Sequence, residues 1–448
     1  MAGDLLSIAE RVAAQAAGDE QVEAYVARTR DTEVKVFDSE IESLSSAETE
    51  GVGVRVVKDH RQGFAYAGSL DDEAVAEALA EARDNAGFGT EDEFLGLPDP
   101  DDVAPAELDL FRADLADFAA DDKVALALEI ERATRGADSR IRGVETAEYG
   151  DTAVEAAVAS STGVRAQTRR TVCSVYAYAL AGEGAETQTG YGYSVGRHPD
   201  ELDVSKAGNM AAERATQMLG AKQPNSRKVT VVLDPLVTAS FLGVLSSALS
   251  GEAVLKGRSM FADRAEESVA ATVFTLTDDP TNPEAFGAAP YDSEGLATRR
   301  NALIHGGILH GFLHNTYTGR RAGFATTGSA VRAGFKSTPG VGARALSLVP
   351  GEKSQEQLLA EVGEGVLVRS AIGLHSGANP VSGDFSVGVE GLMIRNGAVA
   401  EPVREATVAS TLQRMLKDVV AVGSDLEWLP GGAAGVTVVI ADVSLSGS

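Results

Sequence analysis

Gly143-Val144-Glu145-Thr146-Ala147-Glu148-Tyr149, then Thr152-Ala153-Val154-Glu155-Ala156-Ala157-Val158-Ala159-Ser160, then residues 165–181 and 187–194 read as four successive antiparallel strands. Upstream, apolar residues at 5, 8, 9, 12, 13 and 16 give helical spacing over 5–17. Strands are expected over 22–26, 33–38 and 51–57, the last forming a hairpin with 61–66. Ser69 is the expected cap of a helix over 74–85 that stops before Gly87, with acids in its first turn. Residues 90–109 are acidic, contain Pro98, Pro100 and Pro105, and read as an exposed connector. Helices are expected over 121–134 and 203–219. Gly220 and Pro224-Asn225-Ser226 mark the expected domain boundary, giving residues 1–224 and 225–448. The second half opens with a strand over 228–233. Asp234-Pro235 starts a helix to about 250, with Val237, Phe241, Val244, Leu245 and Ala248 on one face and Gly251 as its stop. Glycine-punctuated strands over 300–318 and 365–400, a helix near 406–420 and a strand over 436–440 complete it. Strands and helices come in blocks, which favours α+β over a doubly wound sheet.

The chain has 448 residues, 44% hydrophobic and 23% charged. At roughly 150 residues per domain this suggests two or three domains of an ordinary soluble globular protein. No run of about 18 apolar residues occurs, so no membrane-spanning helix is expected. Met1-Ala2-Gly3-Asp4 lacks the basic start and apolar stretch of a secretory leader. The one cysteine, Cys173, excludes an intramolecular disulfide and cysteine-ligated zinc fingers or iron–sulfur clusters, and suits a reducing cytoplasm. Net charge is −27: residues 1–230 carry 44 acids against 23 bases, and the remainder 22 against 16. That field repels phosphate backbones, so nucleic acid is not an expected partner.

The densest group of possible metal ligands is His305, His310 and His314. Gly306-Gly307 reads as a hairpin turn. His310 and His314 then share one strand face, roughly 13 Å apart, too far for one ion. His305 and His310 could approach diagonally, but no third ligand is evident. The chain has no H-E-x-x-H, EF-hand loop or phosphate-binding loop. His375 and Ser376 are adjacent, and neighbours in a strand point to opposite faces, which argues against direct Ser–His activation. The run from Gly373 to Gly388 is rich in glycine and small polar residues. It suits either close approach of a ligand or another chain, or simply a long irregular turn.

The run Ser376-Gly377-Ala378-Asn379-Pro380-Val381-Ser382-Gly383-Asp384-Phe385-Ser386 resembles the signature of the TldD/PmbA proteins. Lys256-Gly257-Arg258-Ser259-Met260-Phe261, Thr277-Asp278-Asp279-Pro280, Asp292-Ser293-Glu294-Gly295, Arg299-Arg300, Leu303-Ile304, Ile394-Arg395-Asn396-Gly397 and Pro402-Val403-Arg404 continue it in order. The strands over 34–41 and 51–57 are similar too, so the resemblance spans nearly the whole chain. It implies a two-domain subunit, an N-terminal α/β domain before a C-terminal β-rich domain with antiparallel sheet and flanking helices. It also implies two subunits around an internal cavity, and zinc-dependent cleavage of unstructured peptides.

In the catalytic TldD-type subunit, H-E-x-x-x-H lies on the first helix of the C-terminal domain and a cysteine near the C-terminus is the third ligand. Aligned on 256–261, the two histidines fall on Leu242 and Ser247, the glutamate on Gly243, and the cysteine within 431–435, which has none. Zinc needs lone-pair donors and the base a carboxylate, and these positions offer neither. The resemblance therefore points to the PmbA/TldE type: a subunit binding no cofactor itself, with zinc in a TldD-like partner. It would complete the cavity and help hold an extended peptide for a cytoplasmic heterodimer. His375, Ser376, Gly377, Asn379, Pro380, Gly383, Asp384 and Phe385 are the expected peptide or subunit contacts. Two other readings stay open: an independent metal-dependent peptidase with another site, and a homodimeric binding or scaffold protein. The acidic N-terminal half is expected to favour basic over acidic peptides.

Overall fold

Two long hairpins found the first sheet. In the computed structural model, which describes residues 4–447, strands β1 (Gln21–Phe37) and β2 (Glu40–Lys58) join through Asp38-Ser39. Met1–Gly3, where most of the leader reading falls, and Ser448 lie outside the described residues. Asp38 and Ser39 have φ of 51° and 67°, the left-handed pair a two-residue hairpin requires. Strands β3 (Arg61–Ala67), β4 (Ile141–Ser160), β5 (Arg165–Ala181) and β6 (Gln188–Gly196) complete an antiparallel sheet in the order β3-β2-β1-β4-β5-β6. The expected strands 22–26 and 33–38 are one strand, and so are 143–149 and 152–160. Cross-strand pairing carries the backbone through the polar stretches. Arg28 and Arg30 reach Glu50 and Glu48 on β2, and Thr152 donates to Asp31 at 2.7 Å. The expected 51–57/61–66 hairpin forms.

Four helices cover one face of this sheet: α1 (Leu5–Ala13), α2 (Asp72–Phe88), α3 (Ala120–Ala137) and α4 (Val204–Gln217). Strand alternation sets the two faces. Val22, Ala24 and Val26 pack with Val52, Val54 and Val56 under α1 and α2, while Tyr25 and Ala27 point the other way. Asp71, not Ser69, occupies the N-cap of α2. The Ser69 hydroxyl instead accepts from the Asp71 amide and donates to its carboxylate. The helix also runs through Gly87 to Phe88. The 90–109 connector is largely exposed, but Leu97 is buried and its carbonyl accepts from Arg320.

A second mixed sheet begins with β7 (Arg227–Leu233). Asp234 caps α5 (Pro235–Ala248) by accepting from the Leu236 amide, as the sequence suggests. Gly251 does not end the helical region. It opens α6 (Gly251–Leu255), and its amide donates to the Leu313 carbonyl at 2.7 Å. A small sheet follows from β8 (Leu276–Asp278), β9 (Asn301–His305), β10 (Ile308–Leu309) and, beyond the β11 (Ala330–Val331)/β12 (Gly340–Val341) pair, β13 (Leu346–Leu348). Gly306 and Gly307, at φ 56° and 81°, make the expected turn. The expected strand through 318 ends at Leu309, because Asn315 and Thr318 form a capping box that starts α7 (Thr316–Ala322).

After α8 (Gln355–Val362), the second sheet gains β14 (Gly365–Ile372), then, past α9 (Leu374–Gly377), β15 (Asp384–Arg395) and β16 (Ala398–Thr411). Instead of a helix over 406–420, β16 continues to Thr411. Only α10 (Leu412–Lys417) is helical before β17 (Val419–Val422). A short β18 (Glu427–Trp428)/β19 (Ala434–Gly435) pair precedes β20 (Val438–Ser446), later and longer than the expected 436–440 strand. The sheet order is β16-β15-β14-β7-β20-β17, and β20 also pairs with β16, closing the sheet on itself. Helix α5 buries Val237, Phe241, Leu242, Leu245 and Ala248 against this sheet, whereas Val244 is only half-buried. The architecture is α+β. Among the described residues, no helix is long and apolar enough to cross a membrane.

The second half covers the other face of the first sheet. Phe335 lies on Tyr25, Ala27 and Ala156, over Gly51 and Gly53, where any Cβ would fall within 2.5 Å of Phe335 atoms. Beside it, Glu23 pairs with Arg55 at 2.6 Å and with Arg332, while Glu294 lies 3.5 Å from Arg55. All four side chains are at most 6% exposed. Glu23 and Arg55 face each other across β1 and β2, so the network ties the first sheet to the second half.

Candidate functional site

Strand β6 has two different faces because glycine and tyrosine alternate in Gly190-Tyr191-Gly192-Tyr193. On one face α4 lies directly on the backbone. A Cβ at Gly190 would come within 2.2 Å of Ala211 O, and one at Gly192 within 2.1 Å of Ala207 O. On the other face, Tyr191 and Tyr193 stack with centroids 5.5 Å apart, and Tyr178 of β5 lies 5.0 Å from Tyr191. Tyr176 extends the ladder and donates to Glu148 at 2.5 Å. Burial pushes the Tyr191 hydroxyl up to about 12, and raises Tyr176 and Tyr193 as well. These phenols stay neutral and keep their O–H donors near neutral pH.

Helix α5 forms the opposite wall. Leu236, Ser240 and Gly243 recur at helical spacing and face a cleft of about 420 Å3 shared with Tyr191 and Tyr193. Gly432 and Ala433 line it too, brought there by β19, whose Gly435 lies against Pro235. A second compartment of about 300 Å3 shares Tyr191, Leu236 and Ser240 and extends towards Arg214, Arg369 and Glu390. Asp234, the cap of α5, holds Arg369 at 2.7 Å and Arg214 at 3.3 Å, so one carboxylate organises two guanidiniums. Together these compartments form a groove along β6, the terminal strand of its sheet.

The three positions aligned with the absent motif do not share one face. Gly243 lines the cleft, and Ser247, one turn on, is exposed with its hydroxyl 3.5 Å from the Gly243 carbonyl. Leu242 is fully buried beneath them. Gly432 and Ala433, from the segment aligned with the cysteine ligand, meet Gly243 and Ser246 across the cleft. The donor set around that cleft is serine and tyrosine hydroxyls with backbone. It lacks the imidazole, thiolate and carboxylate that zinc takes, so these residues do not fit the metal. Among the described residues, no three His, Cys, Asp or Glu side chains are placed to hold a metal ion.

The 374–385 loop is largely occupied with its own folding. Leu374–Gly377 is a helical turn rather than extended chain, so His375 and Ser376 are both exposed on it. Asn379 Oδ1 accepts from the Val381 and Ser382 amides, and the Pro380 carbonyl accepts from Met260 N. A Cβ on Gly377 would fall 2.2 Å from Ser386 O. Gly383 has φ +84° and lies against Gln413. Asp384 accepts from the Ser382 hydroxyl at 2.7 Å, and Phe385 is buried edge-on against Phe241 of α5. The loop therefore braces the far side of the helix whose near side forms the cleft.

His305 and His310 come together, with ring centroids 6.1 Å apart, and Glu266 lies 3.7 Å from His310. His305 ends β9, His310 directly follows β10, and His314 lies beyond it outside any strand. His314 is buried, its Nδ1 is 3.2 Å from the Thr318 hydroxyl, and burial lowers its pKa. The tyrosine ladder and the Arg214–Asp234–Arg369 group were not singled out from the sequence. The tyrosines had a signal, the i, i+2 spacing of 176/178 and 191/193. The arginines had none, because Arg369 meets Asp234 across 135 residues.

Family models match three consecutive parts of the chain: "PmbA/TldA metallopeptidase domain 1" over residues 22–86, the "central domain" over 113–219 and the "C-terminal domain" over 226–447. Metalloprotease PmbA of Escherichia coli O157:H7 is 27% identical over 408 residues, covering 90% of this chain and 88% of that protein. A solved structure described as a putative modulator of DNA gyrase, from Bacteroides thetaiotaomicron VPI-5482, superposes with TM-score 0.87 at 28% identity, covering 99% of this chain and 97% of that one. TldE from Thermococcus kodakarensis shares the fold, with TM-score 0.88 at 24% identity and 99% of both chains covered.

Proposed function

Because the chain belongs to the PmbA/TldD metallopeptidase family, we propose that it is the metal-free, PmbA/TldE-like subunit of a heterodimeric zinc peptidase acting on unstructured peptides. The observation that carries this reading is the chemistry of the α5 wall. Where the catalytic motif would stand, the cleft presents Gly243 and Ser246, with Gly432 and Ala433 opposite. A TldD-like partner supplies the zinc and the general base.

This subunit's own residues bind and orient the substrate. An extended peptide lies in the groove and pairs its main chain with the free edge of β6, a mode that reads backbone rather than side chains. Neutral tyrosine hydroxyls donate to peptide carbonyls, and the rings exclude water beside the strand. Loose sequence preference follows, as suits degradation or maturation of unstructured chains. The net charge of −27 favours basic over acidic substrates. The pair works in the cytoplasm.

The test is cleavage of an unstructured fluorogenic peptide by this chain with zinc, by the TldD-type partner alone, and by the equimolar mixture. Activity only in the mixture is expected. Zinc-dependent activity of this chain alone, abolished by replacing His305 or His310, would overturn the assignment. Cleavage by the partner at full rate without this chain would do the same.

A further inference from the structure

A cavity of about 110 Å3 lies between the first sheet and the second half, away from the α5 cleft. Four arginines reach it: Arg169 and Arg170 from β5, Arg332 and Arg344 from the second half. Arg332 is committed on one side, to Glu23 and to the Ser293 carbonyl at 3.0 Å, and lies 4.8 Å over the Tyr25 ring. Its side chain has 0% exposure, yet its Nη1 is buried with no hydrogen-bond partner among the described residues. Arg344 donates from Nη2 to the Ser293 hydroxyl at 2.9 Å and the Ala330 carbonyl at 3.2 Å, and its buried Nε has no partner. Among the described residues, neither Arg344 nor Arg170 has a carboxylate within 4.0 Å, although acids outnumber bases in the chain 66 to 39. Arg169 stands at the rim, stacked 4.7 Å over Phe111.

Among the described residues, Asp292 is the one carboxylate lining the cavity, and it does not neutralise them. Asp292 spends Oδ1 on the Glu294 and Leu296 amides and Oδ2 on the Ala330 amide. Burial, reinforced by Glu294, pushes it up to about 7. Burial and the neighbouring Arg344 both depress Arg170, the mark of two like charges facing each other. A guanidinium cannot shed its proton near neutrality, so the fully buried Arg332 side chain, with the half-buried Arg170 and Arg344 beside it, favours an anion in the space between them. Carboxylates and phosphates match the planar fork, and the volume admits one such group with little else.

We propose that this cavity binds one small oxyanion, a carboxylate or phosphate group, between Arg170, Arg332 and Arg344. Two sources share that chemistry: free inorganic phosphate, and the terminal carboxylate of a short peptide. Neither the partner subunit nor peptide cleavage is needed for the site to work.

The test is calorimetric titration of the whole chain, in a low-chloride buffer of constant ionic strength. The titrants are sodium phosphate, a short neutral peptide with a free C-terminus, and the same peptide amidated. Saturable one-to-one binding of phosphate, or of the free-acid but not the amidated peptide, is expected, and which one binds identifies the source. Arg170→Gln should weaken binding at least tenfold. In anion-free buffer it should leave Tm unchanged or higher, because it removes an uncompensated charge. Arg344→Gln gives an independent second loss of binding. Absence of saturable binding to the wild-type chain, or equal binding by Arg170→Gln, overturns the proposal.

Discussion

Replacing Glu23 with Gln tests what joins the two halves. Glu23 is 1% exposed and holds Arg55 at 2.6 Å and Arg332 at Nη2, the latter with no exposed side-chain surface. The substitution keeps shape and one acceptor but removes the charge both cations share. Glu294, 3.5 Å from Arg55, compensates that arginine in part, and Arg332 is left without a carboxylate partner. Breaking a buried pair from one side costs about 3–5 kcal/mol. At about 1.36 kcal/mol per decade, the folded-to-unfolded ratio falls by roughly two to four powers of ten. Replacing both partners, Glu23→Leu with Arg332→Met, should cost well under the sum of the single changes, since no charge is left stranded. Urea unfolding followed by far-UV circular dichroism and by the single tryptophan, Trp428, measures each variant. The pH dependence has a defined sign. Burial pushes the Glu23 carboxyl up, but Arg332 and Arg55 outweigh it and hold it below its ordinary 4.5. A depressed carboxyl stabilises the fold above its unfolded pKa, and loses that contribution as pH falls through the folded value. The gap between wild type and Glu23→Gln should be full at pH 7 and close on acidification below about 4.5. A loss under about 1 kcal/mol at pH 7, or full additivity in the double variant, would refute the role given to this network.

Gly192→Ala places a Cβ 2.1 Å from Ala207 O and 2.5 Å from Ala211 N. It should push α4 off β6 at a cost of about 1–3 kcal/mol, and a Tm within experimental error of wild type would contradict that packing. Phe335→Ala removes the ring that seats the second half on Tyr25, Ala27 and Ala156. A loss of about 3–5 kcal/mol is expected, with faster proteolysis near residue 335, and unchanged proteolysis would count against it. Asp278 is pushed up to about 6 by burial, although it accepts from the Arg344 and Ala345 amides. A raised carboxyl stabilises fully below the unfolded pKa and loses that contribution as pH climbs through the folded value. Asp278→Asn should therefore gain on wild type between about pH 4 and 6, by up to ~3 kcal/mol, whereas parallel stability curves would show that Asp278 titrates normally.

Local signals in the sequence located many elements without settling their lengths. Asp234-Pro235 marks the start of α5, and Gly306-Gly307 a turn, because a cap and a left-handed turn depend on two to four adjacent residues. The division of β1 at Arg28–Asp31 was misread for the opposite reason. Polar residues interrupt the apolar pattern there, but a strand continues wherever neighbours on both sides pair with it, and those neighbours lie at 47–50 and 152–155. The segment 406–420 has helical spacing, yet its first six residues are held by pairing with β15 and only Leu412–Lys417 turns.

The same division holds for the site. That Leu242, Gly243 and Ser247 cannot ligate zinc follows from residue type alone, since no fold gives a leucine or a glycine a lone-pair side chain. Which surface those positions serve is a tertiary matter. Only folding brings β6 opposite α5, aims Tyr191 and Tyr193 into the gap between them, and buries Leu242 while Gly243 faces the cleft. The arginine cavity depends on folding still more strongly. Arg170 and Arg344 stand 174 positions apart, and nothing local in either segment specifies the other. Amino-acid sequence alone determined the available chemistry, because donors and charges belong to single residues. Tertiary structure decided where that chemistry acts, because contact across hundreds of residues depends on how the sheets pack.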